Sequence, residues 1–450
     1  MNPAVKKFVV LLLLAAAGLV LLGLGLLVAW RMRLASDVNH QLAALRAAGL
    51  PTSGQEANAY YTNYPDNQNA AVKMALAFAA LTNYPDFRSN DVMRIKFPAR
   101  NESFTPEQSN LFSGYCGMNS NALALAREAI QLPHARYPID MSWGAETRLP
   151  HLVKLNRLAQ AAEFHSLFAP KDSATDIRSI IGMARTLDTE PLVISKWFRF
   201  AMTRIAGASL ERRLNTAVLG EEDLKSLAQP FALASDTNQM ANGLIGERAL
   251  HIPNFRMSWA EINRIVRHDD QEPSEPPAAG PQPFLFKFTG FFERDLRFYL
   301  AAMQTNISLA AAYPKDLSTI SNVEDQILHT AKKQYYIFSG QLLPAAKSAI
   351  IKEATSVAQL RTAQAAIAIE RFRLARGRLP DQLADLVPQF LPAMPQDPFD
   401  GQPLRYHRLD KGYVVYSIGS DGQDNGGRER PADAKYTDKT NYDITFTVAR

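Results

Sequence analysis

A mainly α-helical fold with a small α+β region at its C-terminal end is the class that this sequence predicts. Three observations support it: an apolar run near the N-terminus, a succession of helical patterns with short connections, and three short alternating patterns at the end of the chain. The chain has 450 residues, of which 47% are hydrophobic and 21% charged. We therefore expect several packed domains rather than a disordered chain.

The first of these features is the apolar run from Phe8 to Trp30, which contains no charged residue. As a helix it reaches roughly 34 Å, enough to cross a bilayer core of about 30 Å. A secretory signal peptide is the alternative, because two lysines precede the run. The run is longer than a typical signal and ends in Trp-Arg-Met-Arg instead of a small-residue cleavage site. Residues 1–34 are therefore predicted to form a tail and an uncleaved transmembrane anchor.

Helical patterns fill most of the chain from residue 35 to residue 268. Leu34–Leu50 continues the anchor helix, Asn69–Leu81 is rich in alanine, and residues 85–115 are expected to be rich in loops. Six further helices are predicted with short connections: Ser120–Gln131, Leu152–Phe168, Ala174–Thr186, Leu192–Leu219, Glu221–Ala234 and Thr237–Leu250. Their spacing has no fixed period, so residues 35–268 are predicted to form a mostly helical domain rather than a named repeat.

Composition and motifs exclude several classes of function. The formal net charge of +5 is spread over the chain, which argues against a nucleic-acid partner. The single cysteine, Cys116, excludes an intramolecular disulfide, and the sequence holds no zinc-site spacing. It also has no GxSxG, GxxxxGK[ST] or GxGxxG motif. We therefore expect a protein that is not an enzyme, with no catalytic residues and no small-molecule substrate.

An enzyme with an unfamiliar site in the helical domain remains the competing hypothesis. Its candidate residues are His151, Trp143 and Cys116, because a lone cysteine becomes a nucleophile when a histidine lowers its pKa. No spacing identifies the partner of Cys116. A buried packing role is the simpler interpretation of the cysteine and the tryptophan.

The chain between the helical domain and the C-terminal region divides into two parts. Residues 269–283 are rich in proline and acidic residues and lack large apolar residues, so they are predicted to be a linker. Residues 284–354 begin with a phenylalanine-rich run and are predicted to be helical, with one helix at about Phe291–Ala312. The aromatic run is expected to enter the core, and an interfacial membrane segment is the alternative.

The C-terminal region, residues 355–450, combines one helix with short strands. Leu360–Arg376 is apolar over a broad face and is followed by Gly377, which is typical of a helix C-terminus. Three alternating patterns follow, centred on Tyr406, on Val414 to Ile418 and on Ile444 to Val448. A long helix laid on a small antiparallel sheet is the predicted arrangement.

This region resembles the C-terminal half of the major pseudopilin of type II secretion systems. Four motifs carry the resemblance over about the last 90 residues: AIAIERFRLARGRLPDQLADLV, LPAMPQDPFDGQPLRY, YVVYSIGSDGQDNGG and the closing Asp443-Ile444. The resemblance implies a pseudopilin-like α+β module. The whole chain, from anchor to module, also resembles large uncharacterised membrane-anchored bacterial proteins, which implies no function.

The pseudopilin resemblance further implies a calcium ion bound by the Ser-x-Gly-x-Asp-Gly loop and by acidic residues before the last strand. By position, Asp421 matches the first acidic ligand and Asp443 the closing aspartate, whereas the ligand just before it falls on Tyr442. Asp424 is the preferred second carboxylate, with Asp433 and Asp438 as alternatives. Calcium takes six to eight oxygen ligands, which a loop bearing glycine and aspartate can supply.

The expected function is that of a single-pass protein of the bacterial inner membrane with a structural or interaction role, linked to a type II secretion or pilus-like system. Basic residues flank the anchor almost equally on both sides, so charge does not fix its orientation. A weak calcium site requires the calcium concentrations found outside the cytoplasm, which places the C-terminal bulk in the periplasm. The sequence has no glycine–aromatic junction before the apolar run and no glutamate inside it. A fused module is therefore expected rather than a fibre subunit, with envelope proteins as partners.

Overall fold

The computed structural model describes residues 3–82, 97–98, 100, 102, 104–169, 171–235, 238–256, 288–343, 345–431 and 442–450. Within them the fold is mainly helical, with one small antiparallel sheet near the C-terminus. The first ten helices are α1 Pro3–Ala47, α2 Gly54–Tyr60, α3 Ala70–Ala80, α4 Pro106–Met118, α5 Ser120–Ala129, α6 Pro150–Phe168, α7 Ser173–Arg185, α8 Val193–Thr216, α9 Glu221–Ala234 and α10 Gln239–His251. Four more follow: α11 Phe291–Ala311, α12 Leu317–Lys333, α13 Ile337–Leu342 and α14 Ala346–Arg376. The strands are β1 Arg405–Arg408, β2 Tyr413–Ser417 and β3 Ile444–Val448.

Helix α1 joins the apolar run and the predicted continuation into one helix of 45 residues without a break. It is the one helix of the described residues that is long and apolar enough to cross a membrane, and its most apolar stretch is fully exposed. Past residue 33 the same helix enters the body of the protein, where Leu34, Val38 and Leu42 are buried. Gly49, with a φ of 72°, takes the left-handed conformation just after the helix ends, which is typical of a helix C-terminus.

The six helices predicted from residue 120 to residue 250 are present as α5 to α10, with ends shifted by a few residues. The expectation of a loop-rich stretch at 85–115 is wrong at its C-terminal end, where α4 begins at Pro106. Its start has a complete capping box, in which Thr105 and Gln108 each accept a hydrogen bond from the other's backbone amide, and Pro106 occupies the first turn. Two glycines and several polar residues weaken the apolar pattern that would have revealed α4.

One hydrophobic core joins the helical array to the C-terminal region. It contains buried residues of α3 to α9 together with Leu360 to Phe372 of α14 and with Tyr413, Val415 and Phe446 of the sheet. Helix α14 packs against α8 and α9 and also against β2 and β3. It runs without a break through residue 355, where the sequence suggested a boundary between two domains. The division into domains stays a prediction, and the linker at 269–283 lies outside the described residues.

A second core lies around the part of α1 that follows the apolar run. It is formed by Val38 and Leu42 of α1, by the N-terminal end of α14, and by residues of α8, α10, α11 and α12. Within it, α11 packs against both α1 and α10. The part of α1 that follows the apolar run is therefore an element of a tertiary core rather than a free stalk.

The predicted sheet is present, and its strands are antiparallel in the order β1-β2-β3. All five residues of the central strand β2 are buried, although alternation alone would expose every second one. Tyr413 and Val415 belong to the first core, which α14 shares. Val414 and Tyr416 lie under the loop at Gly427, where an added Cβ would come within 3.3 Å of both side chains. A loop therefore covers the face of β2 that would otherwise meet solvent.

The contact between α10 and the turn before α8 yields a stability prediction. An added Cβ at Gly246 would overlap the carbonyl oxygen of Pro191, so the Gly246→Ala variant must displace backbone. We expect it to lower the free energy of unfolding by about 3 kcal/mol. Thermal unfolding followed by circular dichroism in detergent micelles measures this loss.

The matched control is Gly207→Ala in α8, because an added Cβ there meets nothing within 4 Å. Alanine loses less backbone entropy in a helix than glycine, so Gly207→Ala should raise stability by about 0.5–1 kcal/mol. Equal effects of the two substitutions would contradict the close packing of α10 on this turn.

Candidate functional site

The loop after β2 folds around the carboxylate of Asp443. Asp443 Oδ1 accepts a hydrogen bond from the backbone amide of Asn425 at 3.3 Å. Asp443 Oδ2 accepts from the amides of Gly427 at 2.7 Å and Arg428 at 3.2 Å. Left-handed φ angles of 70° at Gly426 and 76° at Gly427 turn these amides toward the carboxylate. Asp443 thus fixes the loop through hydrogen bonds to its backbone.

Burial raises the pKa of Asp443, and the nearby charge of Asp424 raises it further, while the three amides oppose the shift. Asp424 accepts hydrogen bonds from the Gly426 amide at 2.9 Å and from the Tyr416 hydroxyl at 3.1 Å. The Nε atom of Arg405 lies 3.8 Å from Asp424 Oδ2. Asp424 therefore lies between a tyrosine hydroxyl and a guanidinium group, close to Asp443.

Asp421 is joined to Asp443 indirectly. Asn425 donates from its side chain to Asp421 Oδ2 at 3.2 Å while its backbone amide donates to Asp443. The three predicted ligands thus belong to one loop region, but the described residues contain no group of three or more acidic, histidine or cysteine side chains that could hold a metal ion. The alternatives Asp433 and Asp438 lie outside the described residues. Calcium binding at this loop stays a prediction.

Asp397, in the Asp-Pro-Phe-Asp-Gly motif, is a residue whose role the sequence did not reveal. It is fully buried and accepts four hydrogen bonds, from Phe399 N at 3.0 Å, Ser417 Oγ at 2.9 Å, Ile418 N at 2.9 Å and Arg405 Nη1 at 2.7 Å. Hydrogen bonds from backbone amides and a paired guanidinium stabilise a buried carboxylate. Asp397 therefore fastens the end of β2 to the turn at residues 397–400, which precedes β1.

A groove of about 600 Å³ lies between α9, α14 and the segment 390–396. Its floor is mostly apolar, and the two guanidinium groups of Arg361 and Arg371 line it. Arg371 is paired with Glu221 at 2.9 Å. Arg361 donates to neutral oxygens, the Tyr313 hydroxyl at 2.6 Å and the Gln396 carbonyl at 2.7 Å, and has no carboxylate partner among the described residues. The groove thus combines apolar surface with one positive charge that a ligand could neutralise.

The helical domain holds a buried polar cluster around Glu190, which the sequence analysis did not predict. His151 Nε2 lies 3.0 Å from Glu190 Oε2, and Ser195 donates to Glu190 Oε1. The Tyr61 hydroxyl lies 3.4 Å from the same carboxylate, and the ring of Tyr137 stacks on His151 with centroids 4.2 Å apart. All five residues are buried.

This cluster has the residue types of a serine nucleophile site, but hydrogen bonds connect its side chains in a different order. In a catalytic arrangement the histidine lies between serine and carboxylate and takes the serine proton. Here Glu190 lies between Ser195 and His151. The nearby Lys196 is fully buried and donates to the carbonyls of Leu187 and Asp188 at 2.8 and 2.7 Å, and burial lowers its pKa to about 7. These contacts fasten the turn between α7 and α8 to its surroundings.

The three residues named for an enzyme do not form a common site in the described part of the chain. His151 belongs to the Glu190 cluster, and Trp143 is half-buried in the 3-10 segment Met141–Glu146. Cys116 is buried, its thiol lies 3.6 Å from the Ala161 carbonyl, and burial raises its pKa to about 12. A thiol with such a pKa is protonated at neutral pH and is a poor nucleophile.

No family model, no curated protein and no solved structure matches this chain. The resemblance to the major pseudopilin therefore stays a prediction from the motifs. What the structure itself supports is a helix on a small antiparallel sheet, packed into a larger helical body.

The loop geometry yields a test of calcium binding. The whole chain is the material, because a fragment that starts at residue 355 would cut α14 and remove the core that this helix shares with α8 and α9. Calcium at about 100 times its dissociation constant should add about 2.7 kcal/mol to the free energy of unfolding. The melting temperature with chelator and then with millimolar calcium measures it, and Asp421→Ala should abolish the gain.

The control for Asp421→Ala is Asp410→Ala, which removes an exposed aspartate in the turn between β1 and β2 and should leave the calcium gain unchanged.

The raised pKa of Asp443 means that this carboxyl favours the folded state most at low pH and loses that contribution as the pH rises through its folded pKa. Calcium favours the ionised form, so the gain should be larger at about pH 7 than at about pH 4. An unchanged melting temperature at neutral pH would exclude the site.

Proposed function

We propose that this protein is a single-pass membrane protein of the bacterial cell envelope with a structural or interaction role. The observation that carries the proposal is the continuity of α1, which leaves the apolar run and enters a tertiary core within the same helix. A helix that is exposed over its apolar part and buried over the next part is suited to hold a body at a membrane.

Ion pairs as well as apolar packing hold α1 against the body. Arg31 Nη1 lies 2.8 Å from Glu293 Oε2, and Asp37 Oδ2 lies 3.1 Å from Arg297 Nη1. Leu34, between these two pairs, is buried. Because α1 cannot bend freely here, the orientation of the body relative to the membrane follows from the direction of the helix.

The anchor reading is favoured over a signal peptide by the end of the apolar run. Residues 30–33 lie in the interior of α1 and carry tryptophan, methionine and two arginines. A signal peptide ends in a short segment with small residues. For orientation, the calcium hypothesis favours a cytoplasmic N-terminus and a periplasmic body.

Membrane anchoring is tested by Leu14→Arg combined with Leu21→Arg, both exposed positions in the apolar run. Each arginine near the centre of a spanning helix costs about 2.5–3.5 kcal/mol, so the double variant should move to the soluble fraction. The wild-type chain should resist alkaline extraction and keep its first 30 residues, as measured by mass spectrometry of the mature protein.

Leu76→Arg is the control, because Leu76 is exposed on α3 and the same substitution there should leave membrane association unchanged.

The orientation of the body is tested with a cysteine at the exposed Leu409, which should react with an impermeant maleimide in intact spheroplasts. Reaction only after lysis would place the body in the cytoplasm, and a mature chain that starts after residue 30 would contradict the anchor.

We further propose that the groove between α9, α14 and segment 390–396 receives a segment of an envelope protein that combines apolar side chains with a carboxylate. Apolar side chains would fill the floor, and the carboxylate would pair with Arg361, which is bound only to neutral oxygens among the described residues. A component of a type II secretion or pilus-like system is the partner that the pseudopilin resemblance favours.

The order of residues in the Glu190 cluster gives the competing enzyme hypothesis no support.

A photo-reactive residue tests the groove. We expect a cross-linker at Gln229, which lines the groove, to yield an adduct with a secretion component in cells, and Ala232→Trp to abolish it by filling the floor. Arg361→Gln should weaken the adduct about tenfold or more, since loss of one charge-assisted hydrogen bond costs about 1.5–3 kcal/mol and about 1.4 kcal/mol is tenfold in affinity. Immunoblots and mass spectrometry of the adducts measure both effects.

The matched position is Glu222, which is exposed on the same helix outside the groove. Equal adducts from positions 222 and 229 would contradict a specific groove. An adduct that depends on the groove but contains no secretion component would remove the link to secretion and leave the interaction role.

A further inference from the structure

We propose that the turn at residues 332–337 is a second membrane contact, which lies against the headgroups of anionic phospholipids beside α1. We name these residues the basic-aromatic turn. They comprise the end of α12 and the start of α13 and read Lys-Lys-Gln-Tyr-Tyr-Ile. The inference rests on the proposed membrane anchoring and adds to it a lipid surface that no motif indicated.

The direction of α11 brings this turn to the membrane side of the body. Arg31 of α1 pairs with Glu293, and Asp37 pairs with Arg297, so residue numbers rise together along the two helices. Helix α11 therefore runs parallel to α1 and leaves the membrane in the same direction. Its N-terminal end at Gly290 lies against Arg31, immediately after the apolar run.

The basic-aromatic turn is fastened to this end of α11. Arg294 Nη2 donates to the Gln334 carbonyl at 2.7 Å, and its guanidinium lies 5.1 Å from the centre of the Tyr336 ring. Tyr336 also stacks on Phe298, with ring centroids 4.5 Å apart. The turn is thus held at the level of the first turns of α1 beyond the apolar run.

The height of this level matches the headgroup layer. Residues 33 to 37 of α1 lie about 5 to 10 Å beyond Trp30 along the helix axis, at about 1.5 Å per residue. Each headgroup layer of a bilayer is about 5–8 Å thick. A turn at this level beside α1 therefore faces headgroups if Trp30 marks the edge of the hydrocarbon core.

The exposed side chains of the turn have the composition of an interfacial segment. Tyr335 is 73% exposed and Ile337 is 54% exposed. The alternate residues pack against α11, Tyr336 on Phe298 and Phe338 on Phe292. Tyr335 has a φ of 55°, a left-handed conformation that is uncommon for a bulky residue. A tyrosine and an isoleucine held in solvent beside lysines are expected where a surface meets lipid.

The charge of this surface favours anionic lipid. Lys332 and Lys333 are exposed and have no ion-pair partner among the described residues, and Arg33 of α1 is exposed as well. Among the neighbouring carboxylates, Glu293 and Asp37 are already paired with arginines. Asp295 is buried and accepts hydrogen bonds from the backbone amides of Phe338 and Ser339. Lysines without counterions near an anionic leaflet are attracted to it.

The experiment uses the full chain in nanodiscs with an environment-sensitive fluorophore at Tyr335→Cys. The matched control is Leu409→Cys. Leu409 is exposed, and its neighbour Arg408 donates to the carbonyls of Leu379 and Pro380, just past the C-terminal end of α14. Helix α14 is roughly 45 Å long and begins in the second core, beside α1. Cys116 is buried and should stay unlabelled, which the wild-type chain verifies. Nanodiscs contain phosphatidylcholine alone or with phosphatidylglycerol, each with headgroup spin-labelled lipid as quencher.

We expect strong quenching of the label at position 335 and none at position 409, with more quenching in anionic than in neutral discs. Lys332→Gln with Lys333→Gln should lower the quenching in anionic discs to the neutral value. Equal signals at positions 335 and 409 in protein that co-elutes with nanodiscs would overturn this inference and leave the anchor intact. Failure of the chain to enter nanodiscs would instead overturn the anchoring, and with it the lipid contact.

Quenching that is the same in both lipids and insensitive to the lysine substitutions would overturn the anionic preference. Melting temperatures of the variants close to that of the wild-type chain establish that the turn keeps its structure.

Discussion

Burial of α14 from Ala346 to Phe372 is the constraint on which the rest of the structure depends. Its N-terminal part, with Ala349 and Ile350, belongs to the second core, which also contains Val38 and Leu42 of α1. Its C-terminal part, from Leu360 to Phe372, belongs to the larger core together with α8, α9 and the sheet. A helix so poor in exposed surface is unstable unless all of these neighbours are present. The array, the sheet and the helices of the second core are therefore organised around one helix.

The C-terminal motifs hold the connections of the sheet in place. Asp397 fastens the end of β2, and Asp443 fastens the loop that covers β2, in both cases through backbone amides. Buried carboxylates are stable where amides and cations surround them. These C-terminal motifs thus hold together the turns and the loop of a helix that packs on a small sheet.

The parallel course of α1 and α11 determines how the body lies against the helix that carries the apolar run. Two ion pairs and the buried Leu34 hold the two helices together, so α1 cannot leave the body without opening the second core. The groove, the anchor and the lipid-facing turn that we propose would together suit a protein that presents a surface at a fixed height above a membrane. No arrangement of titratable groups within the described residues points as clearly to a reaction.

The sequence alone determined the elements: the apolar helix, the six helices of the array and the three strands, because periodicity and end signals act over a few residues. It missed α4, whose glycines hide its pattern. Only the tertiary structure decided that Glu190 separates Ser195 from His151, that α1 enters a core, and that α14 joins two regions the sequence divides. These contacts connect residues far apart in the chain, and long-range packing, which no local pattern encodes, selects them.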